Sequence, residues 1–140
     1  MDVEHADRDW GHLYPAFRAK LEAVLAEMHR RTGEEWILVE GYRSQARQTW
    51  LYAQGRTRPG PVVTWIEHPA WHGAGLAADV MPQKTGYKAP LSWWQTLLTV
   101  GIAHGLANPA FANGDHGHLQ IADKDLRPAA LAWVERGFKD

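Results

Sequence analysis

The chain has 140 residues, of which 45% are hydrophobic and eight are tryptophan, and it carries a formal net charge of −1. This length and composition predict a single domain with a substantial core, residues 1–140. The nearly balanced charge argues against a general binder of nucleic acids or of anionic membranes. No cysteine is present, so the fold depends on neither disulfides nor a thiolate metal site. The polar stretch Met1–Trp10 is unlike a secretory signal, and no stretch reaches the length of a membrane span.

The first half of the chain predicts two helices around one strand. Apolar residues at helical spacing predict a core-facing helix from about Pro15 to Arg31. The run Trp36–Val39 predicts a short, fully buried strand. Ser44 is suited to cap a second helix that runs to Gln54 and stops at Gly55. The next segment, residues 55–71, holds three prolines and two glycines. We expect it to form a long loop that walls a groove.

The second half predicts two strands and two more helices. Leu76–Val80 and His118–Ile121 read as strands. A capping-box pattern at Ser92 predicts a helix to about His104 that buries Trp94, Leu97, Leu98 and Ile102. A last helix is expected from about Pro128 to Arg136. Because strands and long helices do not strictly alternate, the pattern favours an α+β fold with a small, mainly antiparallel sheet flanked by helices.

Two short runs, residues 71–79 and 115–118, bring together imidazoles and carboxylates. Period-two alternation would place Asp79 and His118 on a common polar face of neighbouring strands, with His72 in a loop nearby. Imidazole and carboxylate ligands suit a borderline cation such as zinc. Three protein ligands would leave a position open for water, and the leftover carboxylate could take a proton from it. His116 is an alternative ligand, and eight histidines also produce close pairs by chance.

These runs carry a family resemblance. The string HGAGLAAD fits H-x-x-G-x-A-x-D, Asp115 and His118 fit a following D-x-x-H, and residues 41–57 look like the upstream block of the same family. The sequence therefore resembles the zinc peptidoglycan peptidases, which comprise D-Ala-D-Ala carboxypeptidases and L-alanyl-D-glutamate endopeptidases, several of them phage endolysins. The resemblance extends from about Tyr14 to Gln120. It implies the fold shared with hedgehog-type domains.

The resemblance also assigns roles by position. It implies one zinc ion per chain, with the ligands His72, Asp79 and His118. It implies Asp115 as catalytic base and Arg43 as the arginine that contacts substrate and oxyanion. Positions that match the substrate groove are Ser44 and Gln48, and His116 is a further groove candidate. The chain departs from the family pattern near the site at Ala70, Gly117 and Leu119.

The expected function is zinc-dependent hydrolysis of a peptidoglycan stem peptide. Residues 41–57 resemble the endopeptidase branch more closely, which favours the L-Ala–D-Glu bond over D-Ala-D-Ala carboxypeptidase activity. A zinc-binding recognition module of the same fold is the rival, and Asp115 argues against it because a pure binder needs no base. We expect a monomeric single catalytic domain without a wall-binding domain, made in the cytoplasm and acting on the cell wall, as an antimicrobial phage lysin would.

Two further sets of residues are interpreted as structural. The basic cluster formed by Arg43, Arg47, Arg56 and Arg58 could bind phosphate or RNA, but the balanced total charge favours a solvated helix face plus a loop and no nucleic-acid partner. Trp50, Trp65 and Trp71 could stack on sugars. Core packing is the default for tryptophan and is the expectation here.

Overall fold

The computed structural model describes residues 2–140, which form an α+β fold as predicted. The helices are α1 (Pro15–Thr32), α2 (Gln45–Ala53), α3 (Leu91–Ala103) and α4 (Arg127–Glu135). The strands are β1 (Trp36–Glu40), β2 (Ala77–Pro82), β3 (Leu106–Ala107) and β4 (His118–Ile121). They form one antiparallel sheet in the order β1-β2-β4-β3. Within residues 2–140, no helix has both the length and the apolar character needed to cross a membrane.

Helix α1 supplies much of the core and ends as its sequence predicts. It begins with Pro15 in the first turn, where a missing backbone N–H costs nothing. It ends at Gly33, whose φ of 74° is in the left-handed region that glycine adopts readily. The side chains that it buries recur every three or four residues: Phe17, Leu21, Val24, Leu25 and Met28.

Helix α3 differs from its prediction in two ways. It begins at Leu91 after Pro90, and no side chain caps it, so the capping box predicted at Ser92 is wrong. Its buried stripe passes through Gly101 and not Ile102, which is 60% exposed. The reason is close packing on β4, because a Cβ atom at Gly101 would lie 2.9 Å from a methyl carbon of Leu119. The helix can approach the sheet this closely only along a glycine.

The sheet edges also depart from prediction. Strand β1 lies at an edge of the sheet and alternates, with Trp36, Leu38 and Glu40 buried and the residues between them half-buried. The prediction of a fully buried strand is therefore wrong. The opposite edge is β3, which the sequence analysis missed because two residues are too few to show a period.

Strand β2 occupies an inner position and brings the polar motif residues together. Its register places Asp79 opposite His118 on β4, and a bulge in β1 places Glu40 opposite Asp79. The chain enters β4 through Gly117, where a Cβ atom would lie 2.5 Å from the carbonyl oxygen of Val80. Gly117 permits this approach, and its carbonyl accepts a hydrogen bond from the Val80 N–H at 2.9 Å.

Candidate metal centre

Three side chains converge where β2 and β4 pair. His72, Asp79 and His118 each offer a ligand atom, and these atoms all lie within 4.8 Å of one another. Nδ1 of His118 is 3.2 Å from one carboxylate oxygen of Asp79, and Nε2 of His72 is 3.7 Å from the other. His72 arrives from a single 3₁₀ turn, His72–Ala74, which precedes β2. The pairing of the two strands and this turn therefore build the cluster.

The second nitrogen of each histidine ring has a partner that fixes which nitrogen faces the cluster. Nδ1 of His72 lies 2.7 Å from the carbonyl oxygen of Gly41, which can only accept, so Nδ1 carries the proton. Nε2 of His118 donates to the amide oxygen of Gln120 at 2.9 Å. His72 thus turns an unprotonated Nε2 toward Asp79, whereas Nδ1 of His118 donates to that carboxylate unless a cation takes the place of its proton. Two imidazole nitrogens and a carboxylate oriented by such outer hydrogen bonds fit a zinc ion.

The charges in the cluster suit a cation. Burial is the main reason that the pKa of His72 is lowered to about 4, so this ring is neutral at ordinary pH. Burial opposes ionisation of Asp79, but the hydrogen bond from His118 and the neighbouring positive charges outweigh it and lower the pKa of the carboxyl. Burial alone would lower the pKa of His118, and its contact with Asp79 raises it instead. Asp79 is therefore a carboxylate beside a neutral His72.

The cluster opens into a cleft of about 870 Å³ that Asp115 and Arg43 also line. Burial, reinforced by the negative charge of Asp79, raises the pKa of the Asp115 carboxyl. The turn that carries Asp115 is held by Asn108, whose side-chain amide donates to the Asp115 carbonyl at 2.7 Å. Asp115 is thus a carboxylate with an enhanced affinity for a proton, on a turn whose backbone is held and which faces the same space as the three ligands.

Arg43 is clamped beside the three-residue cluster, with its Nη2 3.7 Å from a carboxylate oxygen of Asp79. Its Nε and Nη2 donate to the two carboxylate oxygens of Glu40 at 3.2 and 2.8 Å, a bidentate pair. Its Nη1 donates to the side-chain oxygen of Gln48 at 3.0 Å. Burial opposes ionisation of Glu40, but hydrogen bonds from Arg43 and Arg47 outweigh it and lower the pKa of this carboxyl. The guanidinium plane is therefore fixed in orientation.

Comparison with known proteins finds a curated relative that matches about half of the chain. No protein-family model matches the chain. The peptidoglycan L-alanyl-D-glutamate endopeptidase CwlK of Bacillus subtilis (strain 168) is 36% identical over 73 residues, which are 51% of this chain and 43% of that protein. The chain thus spans less than half the length of this curated relative.

Solved structures share the fold at low sequence identity. DacB from Streptococcus pneumoniae D39 matches with a TM-score of 0.60 and 19% identity, covering 99% of this chain and 82% of DacB. The vancomycin resistance D,D-pentapeptidase VanY, solved with Zn(II), gives 0.59 and 14%, covering 89% and 79%. The LD-carboxypeptidase LdcB gives 0.59 and 15%, covering 89% and 64%. The predicted resemblance to the zinc peptidoglycan peptidases is confirmed.

Of the three groove residues that this family resemblance predicts, Gln48 lines a smaller cavity of about 180 Å³ that shares Arg43, His72, Asp115 and His118 with the cleft. It is buried, and its amide nitrogen donates to the Ile66 carbonyl at 2.6 Å. Ser44 caps α2 by accepting a hydrogen bond from the Arg47 N–H, and it lines a different cavity beside the N-terminal segment. The ring of His116 packs 4.5 Å from that of Phe111 and lines an adjoining cavity that Asp115 also borders.

The arginine cluster is not the solvated helix face that the sequence suggested. The side chains of Arg43 and Arg47 are 15% and 11% exposed and share Glu40. Arg56 and Arg58 lie over aromatic rings, with guanidinium carbons 3.7 Å from the ring centroid of Tyr52 and 3.6 Å from that of Trp50. The predicted solvated helix face is therefore wrong for Arg43 and Arg47, whose carboxylate partner the charge pattern did not reveal. Arg56 and Arg58 lie in the predicted loop, and Arg56 is exposed.

Two residues that shape the site were missed by sequence reasoning, Glu40 and Asn108. The signal for Glu40 was a carboxylate directly after a buried strand, with arginines three and seven positions later. Nothing in the sequence marks Asn108, whose side chain also accepts a hydrogen bond from the Ala110 N–H at 3.0 Å. Its effect on Asp115 depends on the three-dimensional path of the loop.

Proposed function

We propose that this chain is a zinc-dependent peptidase that hydrolyses the L-Ala–D-Glu bond of peptidoglycan stem peptides. The observation that carries the proposal is the convergence of His72, Asp79 and His118 on one point of a cleft shared with Asp115 and Arg43. The three ligands would hold one zinc ion per chain. The choice of bond is supported by the 36% identity with CwlK, whose name gives that activity.

The side chains around the cleft can divide the work of hydrolysis. A zinc ion held by the three ligands would acidify water and polarise the scissile carbonyl. The Asp115 carboxylate accepts a proton from the attacking water and returns it to the leaving amine, a role that its raised pKa favours.

Arg43 is suited to stabilise negative charge on the substrate. A guanidinium has five N–H donors, and Glu40 and Gln48 take three of them. The remaining donors are available to the oxyanion or to a stem-peptide carboxylate. Because the clamp fixes the plane before substrate arrives, little reorganisation is needed in the transition state.

The bond can be identified by digesting purified peptidoglycan and analysing the fragments by mass. We expect fragments with a new N-terminal D-Glu, L-Ala left on muramic acid, uncut sugar chains, and no release in the presence of a chelator. Free D-Ala as the only product would make the chain a carboxypeptidase with the same metal centre. New reducing ends would exclude a peptidase.

Replacing Glu40 with glutamine should impair the enzyme without removing its metal. The neutral amide of Glu40→Gln cannot form the charged bidentate pair, so Arg43 loses its fixed orientation, and we expect catalytic efficiency to fall at least tenfold. Two buried arginines also lose their counter-charge, which costs about 3 kcal/mol of unfolding free energy. Steady-state kinetics, zinc content and urea unfolding measure the three quantities. Glu22→Gln, on the exposed face of α1, is the matched control.

The lowered pKa of Glu40 predicts that the difference in stability between wild type and Glu40→Gln depends on pH. The pKa of Glu40 is lower in the folded protein, so its stabilisation is complete above the ordinary glutamate pKa of about 4.3. Below that pH the unfolded chain takes up the proton first, and the stabilisation is lost as the pH falls through the folded pKa. The stability gap between wild type and Glu40→Gln should therefore narrow below about pH 4.3. A gap that stays constant from neutral pH into this acid range would contradict the assignment.

A further inference from the structure

The long loop, residues 55–71, exposes apolar side chains at the rim of the metal cleft. Trp65 is 83% exposed, Ile66 56% and Val63 53%, and we call these three residues the rim platform. The expectation that Trp65 packs in the core is therefore wrong. A cluster of exposed apolar side chains around a tryptophan is unfavourable in water and commonly marks a contact surface.

Side chains of α2 and of the turn after it hold the rim platform in place. The guanidinium of Arg56 lies between the rings of Tyr52 and Trp65, at 3.7 and 5.4 Å from their centroids, and donates to the Thr64 carbonyl at 3.1 Å. On the other side, Gln48 donates to the Ile66 carbonyl. The backbone on both sides of Trp65 is thus fixed by side chains of α2 or the turn after it, while the indole remains exposed.

The platform and the candidate metal centre face one cavity. Val63, Trp65 and Ile66 line the cleft of about 870 Å³ together with the three metal-ligand candidates. One buried amide connects the two regions, because Gln48 bonds both the Ile66 carbonyl and the Arg43 guanidinium. A substrate whose scissile carbonyl lies near Arg43 and Asp115 can therefore extend onto the platform without leaving the cleft.

We propose that the rim platform is a sugar subsite, in which the Trp65 indole stacks on the muramic acid residue that carries the stem peptide. This inference rests on the proposed function. In peptidoglycan, L-Ala is joined directly to muramic acid, so a bond after L-Ala lies one residue from the sugar. The C–H face of a pyranose packs on the electron-rich face of an aromatic ring, and tryptophan offers the largest such face.

The chemistry of the rim favours a neutral sugar over an anionic lipid surface. The platform side chains are uncharged, and the next residue, Glu67, is an exposed carboxylate that would repel anionic headgroups. The nearby cations are engaged in the fold, since Arg56 and Arg58 lie over the rings of Tyr52 and Trp50. A neutral sugar ring with one apolar face needs no counter-charge, and the platform offers it an uncharged, apolar surface.

Kinetics on two substrates with the same scissile bond test the subsite. One substrate is the stem pentapeptide attached to its disaccharide, N-acetylglucosaminyl-N-acetylmuramic acid. The other is the same pentapeptide without sugar and with an acetylated N-terminus. We expect wild type to prefer the sugar-bearing substrate by about tenfold in kcat/KM. In Trp65→Ala, kcat/KM for the disaccharide substrate should fall to about the value for the acetylated peptide, and the value for the peptide should not change. Trp65→Phe should retain most of the preference. Val62→Ala, in the same loop but outside the platform, is the matched control.

The outcomes separate the subsite from the proposed function. Trp65 is a surface residue, so Trp65→Ala should have the same melting temperature as wild type. Cleavage of both substrates at equal rates by wild type would overturn the subsite while the peptidase stands. An equal loss on both substrates would also overturn it and make Trp65 a contact for the peptide. No cleavage of either would overturn the proposed function and the subsite with it. If Trp65→Ala had unchanged kinetics but lost binding to anionic vesicles, the platform would be a lipid contact. If its kinetics were unchanged and its oligomeric state differed from wild type, the platform would be a contact for a second copy of the chain.

Discussion

Replacing His118 with alanine is expected to abolish both zinc binding and hydrolysis. His118 stands opposite Asp79 in the sheet register and turns Nδ1 toward it, so its loss leaves two of the three proposed ligands. We expect zinc affinity to fall more than a hundredfold, since even outer-shell changes at metal sites cost about ten- to a hundredfold. Elemental analysis of the purified protein measures the metal, and digestion of peptidoglycan measures the activity.

The neighbouring His116 provides the control for this experiment. Its ring packs against Phe111 and it is not part of the three-residue cluster, so His116→Ala should keep one zinc ion per chain. Full zinc in His118→Ala together with metal-free His116→Ala would transfer the ligand role to His116. Alanine at His72 or Asp79 should behave as alanine at His118 does, because three ligands are the fewest that hold zinc tightly while leaving a position for water.

Asp115→Asn should retain zinc and lose most activity. The amide cannot accept the proton of the attacking water, and removal of a general base costs about a hundredfold to ten-thousandfold in rate. The asparagine keeps the size of the side chain, and the bond from Asn108 to the backbone carbonyl is preserved. Zinc content and kcat measured on the same preparation separate the two roles.

An exposed carboxylate gives the comparison for Asp115. Asp125→Asn, at an exposed position before α4, should leave both zinc and kcat unchanged. If Asp115→Asn were purified without metal, Asp115 would be a ligand and the proposed division of roles would be wrong. If it retained wild-type kcat, another group would have to accept the proton.

Local periodicity explains which parts of the site could be predicted from the sequence. The shared polar face of Asp79 and His118 follows from period-two alternation within two short strands, and β4 has the predicted bounds, His118–Ile121. The carboxylate Asp115 and the ring of His72 lie at the same cleft. Alternation also places Gln120 on the face of His118, but it could not supply the partner of the second His72 nitrogen, because Gly41 is identified only by the fold.

The missed features depend on tertiary packing. The predicted β1 ended at Val39, since a glutamate normally marks the end of a buried run. Two arginines from the following turn and helix make burial of Glu40 possible. The reverse happened at Trp65, where hydrophobicity predicted burial and the loop presents the ring to solvent. In both cases the tertiary surroundings of the residue, and not the average behaviour of its type, determine its burial.

The pairing of Asp79 with His118 has a consequence for a chain without cysteine. These residues are 39 positions apart, and His72 joins them from outside β2. A metal ion shared by all three would cross-link the chain as a disulfide does, and closing a loop of roughly 40 residues restricts the unfolded ensemble by about 4 kcal/mol. Loss of the metal ion would then remove the cross-link and the activity together. Where free metal is scarce, the protein would become a substrate for other proteases, and its working life would be set by the metal supply around it.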